Sequence, residues 1–371
     1  MNFDYTDDQK FLKQEARKFL QAHCPITTTR KVLDDNSKAF DRELWQAVID
    51  MGWTGAAIPE KWSGSGLGHI ELCAIAEELG RVIAPIPFAS TVYVFAEGIM
   101  ALGSDAQCEA ILPGVARGDV IGCLATSERE GLTAFTAIDA RVAGGRLNGT
   151  KLPVTDGDIA THAIVAALDE AGPGLFVVQL TGDGIIRETV PTLDPTRSAA
   201  RVEFRGAPCE RLGPVGDGAA SLATILDRAA VLLAFEQVGG ADRCLEVARD
   251  YAMERYAFGR VIGSYQAIKH KLADIYVKNE IARSSAYYGA WALDAGAIEL
   301  PAGAAAARVA GIQAYDFAAR ESLHTHGGMG FTWEADCHLH LRRSRQLALA
   351  LGGLPVWRER LVLNLEARNA V

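Results

Sequence analysis

The segment from Arg255 to Asp274 contains residues whose types and spacing could bind an anionic ligand. It reads RYAFGRVIGSYQAIKHKLAD, and we predict that one helix ends near Gly259 and that the next begins after Gly263. Between these helices the chain would form a cationic, glycine-rich corner. Arg255 and Gln266 at this corner could hold a diphosphate or a ribityl chain, because a guanidinium group binds phosphate oxygens through paired hydrogen bonds. The alternative is a helix hairpin whose arginines are solvated.

A second candidate segment, residues 324–334, reads HTHGGMGFTWE and precedes another predicted helix. Glycines allow a backbone to approach a ligand closely, and the amides at a helix N-terminus attract an anion. The alternative is a helix C-cap followed by a tight turn. His324 and His326 stand close together in this segment, but no third ligand follows at a suitable spacing, so we predict no metal site.

The elements that must position these segments begin with a capping box, in which Thr6 caps a helix and Gln9 reaches back to it. The stretch between Ile58 and Gly68 is rich in turn-forming residues and cannot continue a helix. Elsewhere in this part of the chain, apolar residues at helical spacing predict helices over residues 42–51, 70–82, 90–102 and 105–117.

The residue pattern changes from about Gly118 to Val215. Short β-branched runs, separated by clusters of Gly, Asp, Asn and Pro, indicate an antiparallel sheet or barrel over residues 120–124, 137–142, 162–167, 174–180, 185–190 and 200–204. After Gly218 the helical period returns in long segments that suggest a bundle, over residues 219–255, 264–296, 301–325 and 334–350. This order lacks the alternation of a doubly wound fold, and the chain has neither a GxGxxG after a strand nor a GxxxxGK[ST].

The composition narrows the class of protein. Apolar residues form 49% of the 371 residues and charged residues 22%, which allows a substantial core and excludes a disordered chain. The formal net charge of −9 argues against a nucleic-acid or anionic-membrane surface. The seven cysteines are scattered without a CxxC, the N-terminus does not read as a leader, and no apolar run is long enough for a membrane span. We therefore predict a cytoplasmic protein.

Several stretches, taken together, resemble the acyl-CoA dehydrogenase family over nearly the whole chain. They are AIPEKWSGSGLG with EELGR, LDPTRSAARVEF, the RYAFG segment, and HGGMGFTWE with HLHLRRSR, in that order. The resemblance implies an α+β architecture with an N-terminal helical domain (1–118), a middle β-barrel (119–216) and a C-terminal four-helix bundle (217–371). It also implies FAD at a dimer interface, within a tetramer or a dimer of dimers.

The resemblance assigns cofactor contacts to particular residues. It implies that FAD is contacted by Arg255, Phe258 and Gln266 of one subunit and by Gly327, Gly328 and Gly330 of its neighbour. The middle domain departs from the family pattern, with ATSEREG and KLPVTD where a Thr-Glu segment and an aromatic segment are usual. Polar atoms of Thr126, Ser127 and Thr155 could still bind the isoalloxazine. His324 stands where a glutamine is common.

The resemblance also implies a carboxylate base, which removes the α-proton of an acyl thioester while hydride leaves for the flavin. At the usual distance after the GGxG segment the chain has Leu351-Gly352, and the best-known alternative position falls near Ala229. Two helical turns later stands Glu236, whose place in an apolar run is costly unless the carboxylate is paired or functional. Glu236 is therefore the first candidate base, with a structural or substrate-shaping role as the alternative. Glu334 is the second, with stabilisation of a helix dipole as its alternative.

Three functions remain open at this point. The first is an active dehydrogenase that acts on a bulky, ring-containing or branched acyl-CoA. The second is a non-catalytic or half-site subunit that completes the site of a paralogous partner, and the third is a changed flavin chemistry on the same fold. The resemblance implies a homo-oligomer or an assembly with a paralogous subunit, and an electron-transferring flavoprotein as electron acceptor, with oxygen as the alternative.

Overall fold

The computed structural model describes residues 5–35, 39–129 and 138–369. Its contacts divide the chain into two compact units. One unit comprises Met1–Thr29, His69–Ala84 and Ala230–Val371, and the other comprises Arg30–Gly68 and Pro85–Ala229. The three consecutive ranges drawn from the sequence remain a prediction about domains, because these units cut across the first and the last of them.

The part of the chain before the sheet is helical, as predicted. Its elements are α1 (Asp7–His23), α2 (Ile26–Leu33), α3 (Arg42–Asp50), α4 (His69–Arg81), a π-helix (Ala89–Ala96), α5 (Glu97–Leu102) and α6 (Asp105–Ala116). The predicted capping box is confirmed, because the Gln9 amide donates to the Thr6 side chain and the Thr6 amide donates to the Gln9 side chain. Gly52 follows α3 with a φ of 73°, which favours glycine and ends that helix. The pattern did not predict α2.

Within residues 122–129 and 138–212, seven strands form the middle sheet, and five of them close into a ring. The strands are β1 (Gly122–Ala125), β2 (Arg141–Ala143), β3 (Arg146–Thr155), β4 (His162–Asp169), β5 (Gly172–Gln179), β6 (Ile185–Thr189) and β7 (Ala199–Leu212). Pairing runs β4–β2–β3–β7–β5 and returns from β5 to β4, while β1 adds to β4 and β6 adds to β7. The predicted barrel is therefore confirmed, but its strands are not all antiparallel, because β4 pairs in parallel with β1 and with β2.

The longest strand that the pattern missed is β3. Gly149, Lys151 and Pro153 interrupt its alternation of apolar and polar residues, and its pairing with β7 shifts register at Leu147/Asn148 and again between Lys151 and Val154. A strand with such irregularities loses the period of two that marks strands in a sequence.

Between residues 217 and 369, five α-helices and a small hairpin follow the barrel. They are α7 (Gly218–Glu254), β8 (Tyr256–Ala257), β9 (Arg260–Val261), α8 (Gln266–Asp294), α9 (Leu300–Thr325), α10 (Cys337–Leu349) and α11 (Leu354–Asn369). Four of these helices match the predicted bundle segments, and α11 is an addition. Where α4 crosses α7, a Cβ on Gly80 would lie 2.0 Å from the Glu236 carbonyl oxygen, and one on Gly239 would lie 1.8 Å from that of Glu77. Glycine at these positions lets the two backbones touch.

Buried charges also connect the helices of this unit. Glu77 accepts hydrogen bonds from Lys13 at 2.5 Å and from Arg283 at 2.6 Å, while Glu78 binds Arg17 at 2.8 Å. Burial raises the pKa of Glu77, but Lys13 and Arg283 outweigh this effect and hold the pKa below its ordinary value. The two buried carboxylates of α4, Glu77 and Glu78, are thereby compensated, which links α1 and α8 to this helix.

Helix α7 is long and apolar enough to cross a membrane by length and composition alone. Within its most apolar window, 67% of the residues are buried inside the protein. Such burial is also found in the core helix of a helical domain.

Candidate cofactor site

The segment with Arg255 forms a small hairpin rather than a continuation of the helix. The prediction that a helix ends near Gly259 was wrong, because α7 already ends at Glu254 and β8 and β9 pair across a turn. Phe258 and Gly259 form that turn with φ values of 53° and 83°. The turn leaves the Phe258 side chain 97% exposed, and Arg255 and Gln266, the first residue of α8, are exposed as well. All three predicted contacts therefore lie on one short surface segment.

The glycine segment forms a 3₁₀ turn, Gly327–Phe331, between α9 and α10. Gly327 has a φ of 61°, and a Cβ on Gly327 or on Gly328 would meet nothing within 4 Å. Gly330 differs, because it is buried and its Cβ would lie 2.3 Å from the Leu323 carbonyl oxygen. The first two glycines leave open space for a ligand, whereas packing within the chain explains the third.

Two side-chain pairs hold these segments beside each other. The rings of Tyr251, in the last turn of α7, and His326, before the glycine turn, stack with centroids 4.3 Å apart. Lys271 of α8 and Glu321 of α9 form an ion pair at 2.9 Å. Burial raises the pKa of Glu321, but the hydrogen bond from Lys271 reverses the shift and leaves the pKa below its ordinary value. Neither pair was predicted: His326 was considered only as a possible metal ligand, and Tyr251 and Glu321 lie outside the two candidate segments.

These residues suit the diphosphate and ribityl parts of FAD. The N-cap residue of α8, Tyr265, makes no side-chain cap hydrogen bond, so the amides of the first turn lack a side-chain acceptor there. Arg255 adds a cation. Gly328 leaves open space at the neighbouring turn, where the family resemblance implies contact with the FAD of the neighbouring subunit. FAD, when bound, supplies a two-electron acceptor for the chemistry.

In the other unit, the predicted isoalloxazine contacts lie at the loop after β1 and at the end of β3. The Ser127 carbonyl accepts a hydrogen bond from the Leu152 amide at 2.8 Å, and Thr155 is the exposed last residue of β3. The next residue, Asp156, is buried and accepts hydrogen bonds from Ser90 at 2.6 Å and from Ser198 at 3.4 Å. Ser198 belongs to the LDPTRS stretch, so this motif holds the end of β3 in place.

The first candidate base, Glu236, lies fully inside the bundle. Its side chain is 1% exposed, and Arg343 of α10, equally buried, donates to its Oε1 at 3.3 Å. Arg343 compensates the charge of this carboxylate within the apolar interior. A buried carboxylate that is paired in this way can have a purely structural role. Glu334 lies in an exposed turn before α10 begins at Cys337. The geometry therefore favours the structural alternative for Glu236 and provides no enclosed environment for Glu334.

Arg308 fixes the end of α10, next to the position where the family usually has its base. Its guanidinium donates to Gln237 at 2.6 Å and to the Ala350 carbonyl at 2.6 Å. Burial lowers the pKa of Arg308 to about 9, and the charge of Glu236 acts against this shift. Leu351 follows with a φ of 61°. The turn after α10 is thus capped from within the bundle and has no carboxylate of its own.

The chain is similar to known proteins over nearly its full length. Residues 6–119 match the N-terminal domain, and residues 216–362 the C-terminal domain, of acyl-CoA dehydrogenase. It is 31% identical to acyl-CoA dehydrogenase IpdE2 of Mycobacterium tuberculosis over 93% of each chain. A variant of the Tcur3481-Tcur3483 steroid ACAD is 30% identical with a TM-score of 0.89, over 98% of this chain and 99% of that one.

A further solved structure, the ChsE4-ChsE5 complex from Mycobacterium tuberculosis, is 27% identical with a TM-score of 0.89 and covers 99% of both chains. The fold, the two exposed cofactor segments and these matches agree with one another. FAD is therefore the expected cofactor of the surface described above. This chain belongs to the acyl-CoA dehydrogenase family.

Proposed function

We propose that this chain is one subunit of a mixed acyl-CoA dehydrogenase, in which it binds FAD while a paralogous subunit supplies the carboxylate base. The reaction is the α,β-dehydrogenation of an acyl-CoA thioester to the 2-enoyl-CoA, with the electrons passed to an electron-transferring flavoprotein. The observation that carries the proposal is the ion pair between Glu236 and Arg343, in which both side chains are 1% exposed.

A base for this reaction must reach the α-carbon of the substrate and accept its proton. Glu236 could do so only by leaving Arg343, which would strand a guanidinium inside the bundle without its carboxylate partner. The turn at Leu351-Gly352 has no carboxylate, and Glu334 lies in an exposed turn. A carboxylate from a second subunit removes this difficulty.

The relatives support the same assignment. Two of the similar solved structures carry names of paired components, Tcur3481-Tcur3483 and ChsE4-ChsE5. The first is named a steroid ACAD, which supports a ring-containing or branched acyl group for this chain.

A second candidate is a homo-oligomer that uses Glu236 itself. It is favoured by the burial of this carboxylate within the apolar helix α7, because a carboxylate in an apolar environment is costly unless it is paired or functional. The ion pair with Arg343 argues against it.

The test is to purify the chain alone and together with a candidate paralogous subunit, to record the visible spectrum, and to titrate anaerobically with acyl-CoA thioesters. We expect flavin that is bleached by ring-containing thioesters only in the mixed assembly, and we expect Glu236→Gln to leave that bleaching intact. If the chain alone holds flavin that a thioester bleaches, and Glu236→Gln abolishes the bleaching, the homo-oligomer is correct.

A further inference from the structure

The loop Thr126–Glu128 after β1 has no helix or strand of its own, yet several hydrogen bonds fix it. The Lys151 ammonium donates to the Thr126 carbonyl at 3.4 Å, and the Leu152 amide donates to the Ser127 carbonyl at 2.8 Å. Glu128 and Lys151 form an ion pair at 2.6 Å. Three successive loop residues are thereby attached to two successive residues of β3.

The other face of the Glu128 carboxylate is occupied as well. Its two oxygens accept hydrogen bonds from the backbone amides of Asp139 at 2.6 Å and of Ala140 at 3.0 Å. Burial raises the pKa of Glu128, but the hydrogen bonds from Lys151 and these amides outweigh it and leave the pKa below its ordinary value. The carboxylate thus connects the loop to β3 and to the chain just before β2.

A lysine inside the barrel wall requires an explanation beyond stability. The Lys151 side chain is 0% exposed and that of Glu128 is 7% exposed, and burial lowers the pKa of Lys151 while Glu128 opposes the shift. Apolar residues of similar volume often replace a buried ion pair without loss of stability. What an apolar pair cannot do is orient a loop through directed hydrogen bonds.

We propose that Glu128 and Lys151 are positioning residues, which hold Thr126 and Ser127 for hydrogen bonding to the isoalloxazine of FAD. The inference rests on the proposed function, because it requires that the chain binds FAD. Thr155 lies on the same strand as Lys151, four residues later. Strand β3 therefore carries both Thr155, a predicted isoalloxazine contact, and the lysine that holds the loop with Thr126 and Ser127. A shift of the loop would disturb hydrogen bonds to the flavin ring without removing any residue that touches it.

The experiment compares Lys151→Met with Arg205→Met in the flavin-loaded assembly. Lys151→Met keeps an unbranched side chain that is one heavy atom shorter and removes the buried charge. Arg205→Met removes an exposed ion pair with Glu203 of the same barrel, at 2.7 Å, and serves as the matched control. The readouts are the dissociation constant for FAD, the position of the flavin absorption bands, the flavin reduction potential and the melting temperature.

We expect Lys151→Met to weaken FAD binding by about tenfold, as for the loss of one or two well-placed hydrogen bonds, and to move the absorption bands and the potential. Arg205→Met should change none of these. If Lys151→Met lowers only the melting temperature, the pair is structural and the inference is wrong.

Glu128→Gln keeps the volume of the side chain and tests the same point if Lys151→Met does not fold. It should weaken FAD binding and shift the flavin spectrum to a smaller extent, since the single oxygen of the new amide can still accept from one of the two backbone amides, that of Asp139 or that of Ala140. An unchanged spectrum and dissociation constant in Glu128→Gln would also overturn the inference. An unsubstituted assembly that binds no FAD would instead refute the proposed function, and the positioning role with it.

Discussion

The ion pair between Glu236 and Arg343 predicts a large asymmetry between single and double substitutions. Arg343→Met would leave the Glu236 carboxylate buried at 1% exposure without this guanidinium. Breaking one partner of a buried pair typically costs about 3–5 kcal/mol, whereas replacing both by apolar residues is often neutral or stabilising. We therefore expect Arg343→Met to destabilise the protein strongly and Glu236→Leu with Arg343→Met to recover most of the loss.

The expected loss in the free energy of unfolding corresponds to a measurable shift of the melting temperature. With an unfolding entropy of about 2.1 cal/mol/K per residue, the 371 residues give about 0.8 kcal/mol/K for unfolding of the whole chain. Arg343→Met should then lower the melting temperature by about 4–6 °C. Differential scanning calorimetry would measure the shift, with Arg249→Met as control, because Arg249 lies on the same helix as Glu236 in an exposed ion pair with Asp250.

Two results would refute the reasoning. One is a melting temperature for Arg343→Met within about 1 °C of the control, which would mean that the pair does not compensate a buried charge. The other is a double variant that melts as low as the single one. If, in addition, Glu236→Gln melts like the unsubstituted protein but is no longer bleached by acyl-CoA, Glu236 is the base.

Further predictions concern the pH dependence of stability and the cofactor segments. Burial lowers the pKa of His340 to about 3, so as the pH falls below about 6.5 the histidine of the unfolded chain is protonated before that of the folded chain. The free energy of unfolding should therefore be at its full value above about pH 6.5 and lower by about 2 kcal/mol at pH 5. Urea unfolding would measure this loss, which should be smaller in His340→Gln. Gly328→Ala should keep the melting temperature, because its Cβ meets nothing within 4 Å, but should weaken FAD binding measured by flavin fluorescence. Gly330→Ala should lower the melting temperature even without FAD, because its Cβ would lie 2.3 Å from a carbonyl oxygen, and an unchanged melting curve would contradict the packing explanation. Phe258→Ala should change stability by no more than about 0.5 kcal/mol, because the ring is 97% exposed, while weakening FAD binding; a large drop in melting temperature would show that the ring packs in the folded chain.

Local signals predicted most of the helices. The capping box at Thr6 was visible because its two hydrogen bonds join residues three positions apart. The helical period of 3.6 residues predicted α4 and four of the bundle helices, with ends that differ from the observed ones by at most a few residues. The strand β3 and the hairpin β8–β9 were not predicted, since irregular pairing in one and the short length of the other leave no period to detect.

The candidate site was predictable only in part. The segments with Arg255 and Gly328 were visible as residue types, and the structure brings them together through Tyr251 and His326. The stacking of those two rings joins residues that lie far apart in the chain, and nothing in either local pattern indicates the partner. Gly330 was likewise predicted to contact the cofactor. In the structure, a glycine is required there because a Cβ would lie 2.3 Å from the carbonyl oxygen of Leu323.

The sequence by itself determined which segments are helical, where the β-barrel begins and ends, which glycine and arginine segments could face a cofactor, and that Leu351-Gly352 has no carboxylate. Only the tertiary structure decided what the buried charges do. Glu128 and Lys151 lie 23 residues apart, and Glu236 and Arg343 lie 107 apart. A buried carboxylate is tolerated only with a partner, and the packing of elements distant in the chain determines which residue that partner is. A sequence can therefore show that a charged residue lies in an apolar segment, but not which residue compensates its charge.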